Sequence, residues 1–163
     1  MAAALTHQRL LEALHYDAVS GVFTWRIRGA HRRKPGDVAG SPSKDGRIRL
    51  RLDGQLYYRY RLAWFYMTGE WPSRHIDHRN GNAVDDRWAN LRDVSQAVNM
   101  QNRQGPQRNS STGLLGAYRK RGKFVSVITI DKRQRHLGTF PTAETAHAAY
   151  MAARREHLPG NTL

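Results

Sequence analysis

Cysteine is absent from this chain of 163 residues. A disulfide framework is excluded, and so is every zinc site built on thiolates. Long apolar runs are absent too, the longest falling well short of the about 18 residues that suggest a membrane-spanning helix. The run from Met1 to Leu5 is too short for the apolar region of a signal peptide. The expectation is a cytoplasmic protein with no membrane partner. Acidic residues are scarce: 13 Asp and Glu stand against 27 Lys and Arg, a formal net charge of +14. Such an excess calls for a polyanion, of which nucleic acid is the commonest. A basic scaffold protein that binds RNA has the same totals. The length allows one compact domain or two small ones, each with a modest core.

Leu5, Leu10, Leu11 and Leu14 recur at roughly helical spacing, which predicts an amphipathic helix over 5–16. Ser20-Gly21 reads as a turn, and Val22 to Ile27 as a strand. A basic loop from Gly29 to Gly36 follows. Arg47, Arg49 and Arg51 then alternate with Ile48, Leu50 and Leu52, putting three guanidinium groups on one strand face and three aliphatic groups on the other. Asp53-Gly54 supplies a hairpin turn, and Gln55 to Tyr60 returns. The arginine stripe suits phosphate contact, although a solvated face can look the same. Arg61 to Met67 reads as a short helix.

Residues 104–112 are polar and contain Gly and Pro, which marks a linker between 1–103 and 113–163. Beyond it, three short strands (115–118, 124–130 and 134–137) precede an alanine-rich helix from Ala143 to His157, with Thr142 as its N-cap. The predicted class is α+β: a hairpin-and-helix N-terminal region, two strands and a helix around residues 75–103, then a three-stranded sheet packed on one helix.

The stretch HIDHRNGNAVDDRWANLRDVSQAVNMQNR, from His75, is the most informative. Asp77 and His78 end one short strand, and Asn90 to Val94 reads as a second. Ser95 precedes a helix carrying Asn99 and Arg103. Phosphodiester cleavage needs a base for water and a Lewis acid for the phosphate. A neutral imidazole suits the first role. A carboxylate and an amide oxygen suit a hard cation such as magnesium for the second. Asp77, His78 and Asn99 supply those groups, and Asn90 can orient the imidazole. Taken singly, each has an ordinary alternative: His78 as a surface histidine, Asp77 as a turn cap, Asn90 and Asn99 as routine turn and helix residues.

Taken together, the stretch resembles the HNH, or ββα-metal, nuclease motif. It is most similar to the phage homing-endonuclease branch, which has Asp-His, then Asn, then Asn. Asn90 follows His78 by twelve positions, and Asn99 follows Asn90 by nine. Arg61-Leu62-Ala63-Trp64, Gly69, Trp71 and Pro72 resemble the segment that precedes the motif in phage relatives. Two departures stand out. Tyr60 replaces a frequent histidine, and Asp86 replaces a frequent asparagine. The resemblance implies that Asp77 and Asn99 bind one divalent ion, Mg2+ or Mn2+. It implies His78 as general base, with Asn90 holding its loop. Products would carry a 5′-phosphate and a 3′-hydroxyl. Arg79, Arg87, Arg92 and Arg103 surround the motif and suit backbone clamping; His75 is a further contact or a structural residue.

Residues 113–158 resemble the Apetala/ethylene-response-factor DNA-binding domain. The match rests on Gly116-Ala117-Tyr118, Lys123-Phe124-Val125, Leu137-Gly138-Thr139-Phe140, Thr142, Glu144, Ala146, Ala149 and Tyr150. That family docks three strands in the major groove with a helix behind. It implies a core of Phe124, Ile128, Leu137, Phe140 and Tyr150. Arg119, Lys120, Arg121, Lys123, Arg133 and Arg135 are left for DNA. The whole chain then reads as a phage-encoded nuclease acting as a monomer on double-stranded DNA in a bacterial cytoplasm. No protein partner is evident. The alternative is a non-catalytic DNA-binding regulator on a vestigial nuclease scaffold; an RNA binder using Tyr57, Tyr58 and Tyr60 is a third reading.

Overall fold

The computed structural model describes residues 4–29, 33–102, 105–106, 109–131 and 133–158. Arg103 and parts of the expected linker lie outside them. The described residues form a mixed α+β structure with four α-helices and several small sheets. The chain divides into two compact units, Met1–Ser95 and Gln96–Leu163. No described helix is long and apolar enough to cross a membrane.

The first unit opens with α1 (His7–Ala13), capped by the Thr6 side chain on the Arg9 amide. The helix stops earlier than the leucine spacing predicts. Leu14–Asp17 becomes β1, with Leu14 and Tyr16 buried and His15 and Asp17 exposed. Leu14 satisfies both periods, and pairing with β2 (Val22–Trp25) decides for the strand. Two short strands absent from the sequence reading follow, β3 (Val38–Ala39) and β4 (Ser41–Pro42). β5 (Ile48–Leu52) and β6 (Gln55–Tyr58) form the expected hairpin. Asp53 and Gly54 both have positive φ, 48° and 82°, as a type I′ turn requires. Leu50 and Leu52 face the core, while Arg51 is exposed.

α2 (Arg59–Thr68) buries Leu62, Ala63 and Phe65, and ends at Gly69 in the left-handed conformation. β7 (His75–His78) and β8 (Leu91–Val94) pair antiparallel, joined by a loop and a 3₁₀ turn at Trp88–Asn90. One apolar cluster runs through Leu10, Leu14, Phe23, Leu52, Leu62, Ile76 and Leu91, so both strands that carry the motif are anchored in the core.

The second unit holds α3 (Gln96–Gln101), β9 (Ala117–Lys120), β10 (Lys123–Ile130), β11 (Arg133–Phe140) and α4 (Ala143–His157). The three strands form one antiparallel sheet with β10 central. α4 spans the expected residues, with the Thr142 hydroxyl accepting from the Thr145 amide. It packs on the sheet through Tyr150 and Ala153, and Leu158 just beyond its end joins Ile128 and Ile130 in the same cluster. Small residues permit the close approach: a Cβ on Gly116 would lie 2.0 Å from the Tyr150 ring.

Register sorts the basic residues of this sheet. Arg119 lies opposite Phe124, Arg135 opposite Ile128, and Arg133 opposite Ile130. Directly opposed residues share a face, so these three arginines lie on the side that α4 covers, exposed at its margin. The opposite face carries Tyr118, Lys120, Lys123, Thr129, Gln134 and His136. Arg121 sits in the β9–β10 turn at φ 49°.

Candidate active site

The last three residues of β7, Ile76, Asp77 and His78, are all buried. Asp77 is directly opposite Arg92. Its Oδ2 accepts from Arg92 Nε at 2.8 Å and lies 2.6 Å from Nη2. Burying a carboxylate is costly unless it is paired and hydrogen-bonded; Arg92 meets that need on the neighbouring strand.

His78 is 8 % exposed. Its Nε2 lies 2.7 Å from Asp86 Oδ1, and the Tyr60 ring meets the imidazole edge-on at 5.5 Å between centroids. Asp86 is 1 % exposed. Its second oxygen accepts from Arg59 Nε at 2.6 Å, and Arg59 Nη2 donates to the Val84 carbonyl at 2.8 Å. The Asp86 backbone carbonyl accepts from the Tyr16 hydroxyl at 2.6 Å. Burial of Tyr16 pushes its phenol well above the ordinary tyrosine range, keeping it a donor. The β1–β2 turn supports the same segment from behind. Trp88 N donates to Ala18 O at 3.0 Å. Gly21, at φ 73°, lies so close that a Cβ would fall 2.5 Å from the Arg87 amide nitrogen.

Asn90 ties the loop ends together. Its Oδ1 accepts from the Asn80 amide at 3.0 Å. Its Nδ2 donates to Asn80 Oδ1 at 3.0 Å and to the Asp85 carbonyl at 2.7 Å. The Arg79 amide donates to the Asn90 carbonyl at 2.8 Å. Asp85 lies within this loop, and hydrogen bonds from Arg87, then from Asn80, pull its carboxyl down to about 2.

Asp77, His78, Asn90, Arg79 and Arg92 therefore sit on one hairpin, with Arg79 exposed and Arg92 engaged by Asp77. Asn99 is on α3, in the other unit, and is partly buried. Among the described residues no three His, Asp or Glu side chains gather as a metal cage. On β5, Arg49 pairs with Asp45 at 2.7 Å and lies over the Tyr58 ring, while Arg47 approaches Asp45 at 3.8 Å. Arg51 donates to the Gly54 carbonyl at 2.7 Å. Asp45 thus offsets part of the charge of the arginine stripe.

Sequence reasoning missed Arg59 and Tyr16, and gave Asp86 no role. The signal for Asp86 was visible as a departure from the family pattern, but its partner lies 27 positions upstream on another element. Residues 57–101 match a family model described as HNH endonuclease. No curated protein and no solved structure matches the chain. The family match supports an HNH nuclease domain over the hairpin and helix that carry Asp77, His78, Asn90 and Asn99.

Proposed function

We propose that this chain is a metal-dependent endonuclease that hydrolyses phosphodiester bonds in double-stranded DNA. The observation that carries the reading is a buried imidazole, His78, held by a carboxylate at Nε2 and adjoining a buried Asp77, inside the segment that matches HNH endonucleases. A carboxylate partner makes Nε2 a donor and leaves the lone pair of the neutral ring on Nδ1. His78 then acts as general base, taking a proton from water at Nδ1. The water oxygen bonds to phosphorus, the bond from phosphorus to O3′ breaks, and the leaving oxygen takes a proton from solvent. The products carry a 5′-phosphate and a 3′-hydroxyl.

Asp77 and Asn99 are the proposed ligands of one Mg2+ or Mn2+. The donor set fits: a carboxylate and an amide oxygen are hard ligands, and magnesium keeps several of its waters rather than demanding a full protein cage. Arg92 fixes the Asp77 carboxylate by one oxygen, which limits its rotation. When bound, the ion supplies Lewis acidity against the charge that builds on the phosphate. The pairing of Asp77 with Asn99 rests on sequence spacing and on the match that embraces both. Asn90 holds the loop that follows His78.

Residues 1–103 form the proposed nuclease part, 104–112 a linker, and 113–163 a DNA-binding module of the Apetala/ethylene-response-factor type. Arg47, Arg49, Arg51, Arg79, Arg92 and Arg103 are the proposed DNA contacts of the first part. Arg119, Arg121, Lys123, Arg133 and Arg135 serve in the second. The open sheet face favours Lys123 for the groove, whereas Arg119, Arg133 and Arg135 suit phosphates at the margin. The finer reading is a phage-type homing enzyme, monomeric, that nicks one strand per visit.

The test is supercoiled plasmid incubated with Mg2+, with and without chelator. Open circles that form only with the metal, and whose nicks are resealed by a ligase that requires 5′-phosphate and 3′-hydroxyl ends, support the reading. Plasmid that is bound but stays supercoiled at every metal concentration contradicts it and leaves the DNA-binding regulator.

A further inference from the structure

We infer that Asp86 is a positioning residue that sets the tautomer of His78, in a buried relay of Arg59, Asp86 and His78; this rests on the nuclease reading for its catalytic consequence. Asp86 has one oxygen on His78 Nε2 at 2.7 Å and the other on Arg59 Nε at 2.6 Å. All three residues are buried, with the Asp86 side chain 1 % exposed. The Asp86 backbone is held by Tyr16 and crowded by Gly21, and the two oxygens of its carboxylate are each engaged, one by His78 and one by Arg59. Tyr60 limits the imidazole from its edge.

The geometry matters because Asp86 faces two donors at once. A guanidinium only donates, so the oxygen nearest Arg59 must accept. A carboxylate has a second oxygen to accept from His78 Nε2–H. An amide does not. With asparagine at this position the amide oxygen stays on Arg59, and its NH2 group turns toward Nε2. Nε2 must then accept, and the ring proton moves to Nδ1, the atom that has to receive the proton of water. The aspartate and Arg59 therefore act as a set: the arginine makes the carboxylate necessary.

Two measurements test this. The first is long-range proton–nitrogen NMR on histidine-labelled full-length protein at pH about 8. His78→Gln removes one signal and so assigns it. Wild-type His78 is expected as the Nε2–H form, and Asp86→Asn is expected to move it to the Nδ1–H form. The second is plasmid nicking at saturating DNA. Asp86→Asn is expected to lower kcat by about 10²- to 10⁴-fold, the range of a missing or mis-protonated general base, with KM within about threefold. A merely structural role would lower stability without moving the tautomer. A wild-type ring in the Nδ1–H form, or an even mixture, overturns the inference. So does an Asp86→Asn protein with an unchanged tautomer. Should Asp86→Asn fail to fold, the wild-type spectrum alone decides. A wild type that cuts nothing yet shows both tautomer results contradicts the nuclease reading and upholds the coupling of Asp86 to His78.

Discussion

Arg92 reaches across from β8 to grip a single oxygen of Asp77, with Nε at 2.8 Å and Nη2 at 2.6 Å. The arrangement neutralises a carboxylate that is 6 % exposed. Truncating one partner of a buried ion pair costs about 3–5 kcal/mol. Arg92→Met is therefore expected to lower the urea midpoint of the first unit clearly. A divalent ion on Asp77 would replace the missing positive charge. Magnesium should thus raise the melting temperature of Arg92→Met by more than that of wild type, as thermal melts with and without the ion will show. Equal shifts in both proteins would separate Asp77 from metal binding.

Acid should loosen the loop between β7 and β8. Hydrogen bonds from Arg87 and Asn80 depress the Asp85 carboxyl to about 2 in the folded chain, against 3.8 for the ordinary group. A depressed carboxylate adds stability above its unfolded value, and that contribution disappears as pH falls from about 4 to about 2. Hydrogen-exchange protection of the amides at 79–86, taken relative to the intrinsic rate at each pH and measured down this range, should fall in wild type. In Asp85→Asn the loop has no such carboxylate to protonate, and its protection should be the flatter with pH. A parallel fall in both proteins would assign the acid response elsewhere.

The two faces of the second-unit sheet should differ toward DNA. Lys120 and Lys123 are opposed across β9 and β10 on the open face, whereas Arg133 lies on the side that α4 covers. Each phosphate that the protein no longer neutralises lowers the salt slope of binding by about 0.9. Fluorescence anisotropy across a salt series should therefore show a larger decrease in slope for Lys120→Ala with Lys123→Ala than for Arg133→Ala with Arg135→Ala. The reverse order would place the DNA on the helix side.

Much of this architecture was legible in the sequence where the signal is local. Asp53-Gly54 between alternating strands specified the hairpin, and Thr142 before an alanine-rich run specified α4. Where two periods coincide, as at Leu14, local pattern could not choose, and pairing with Trp25 did. The strands at Val38 and Ser41 are two residues each, too short to carry a period. At the candidate site, Asp77 and His78 were readable as neighbours on a strand. What holds them was not: Arg59 reaches Asp86 from another element, and the face on which Arg133 and Arg135 lie depends on strand register.

The most direct test is the single-turnover rate of plasmid nicking by His78→Ala, with DNA affinity measured in parallel. His78 is proposed to take the proton from water, so the rate should fall by about 10²- to 10⁴-fold while affinity stays within about threefold. A variant that nicks at the wild-type rate would contradict the assignment of His78 as the base.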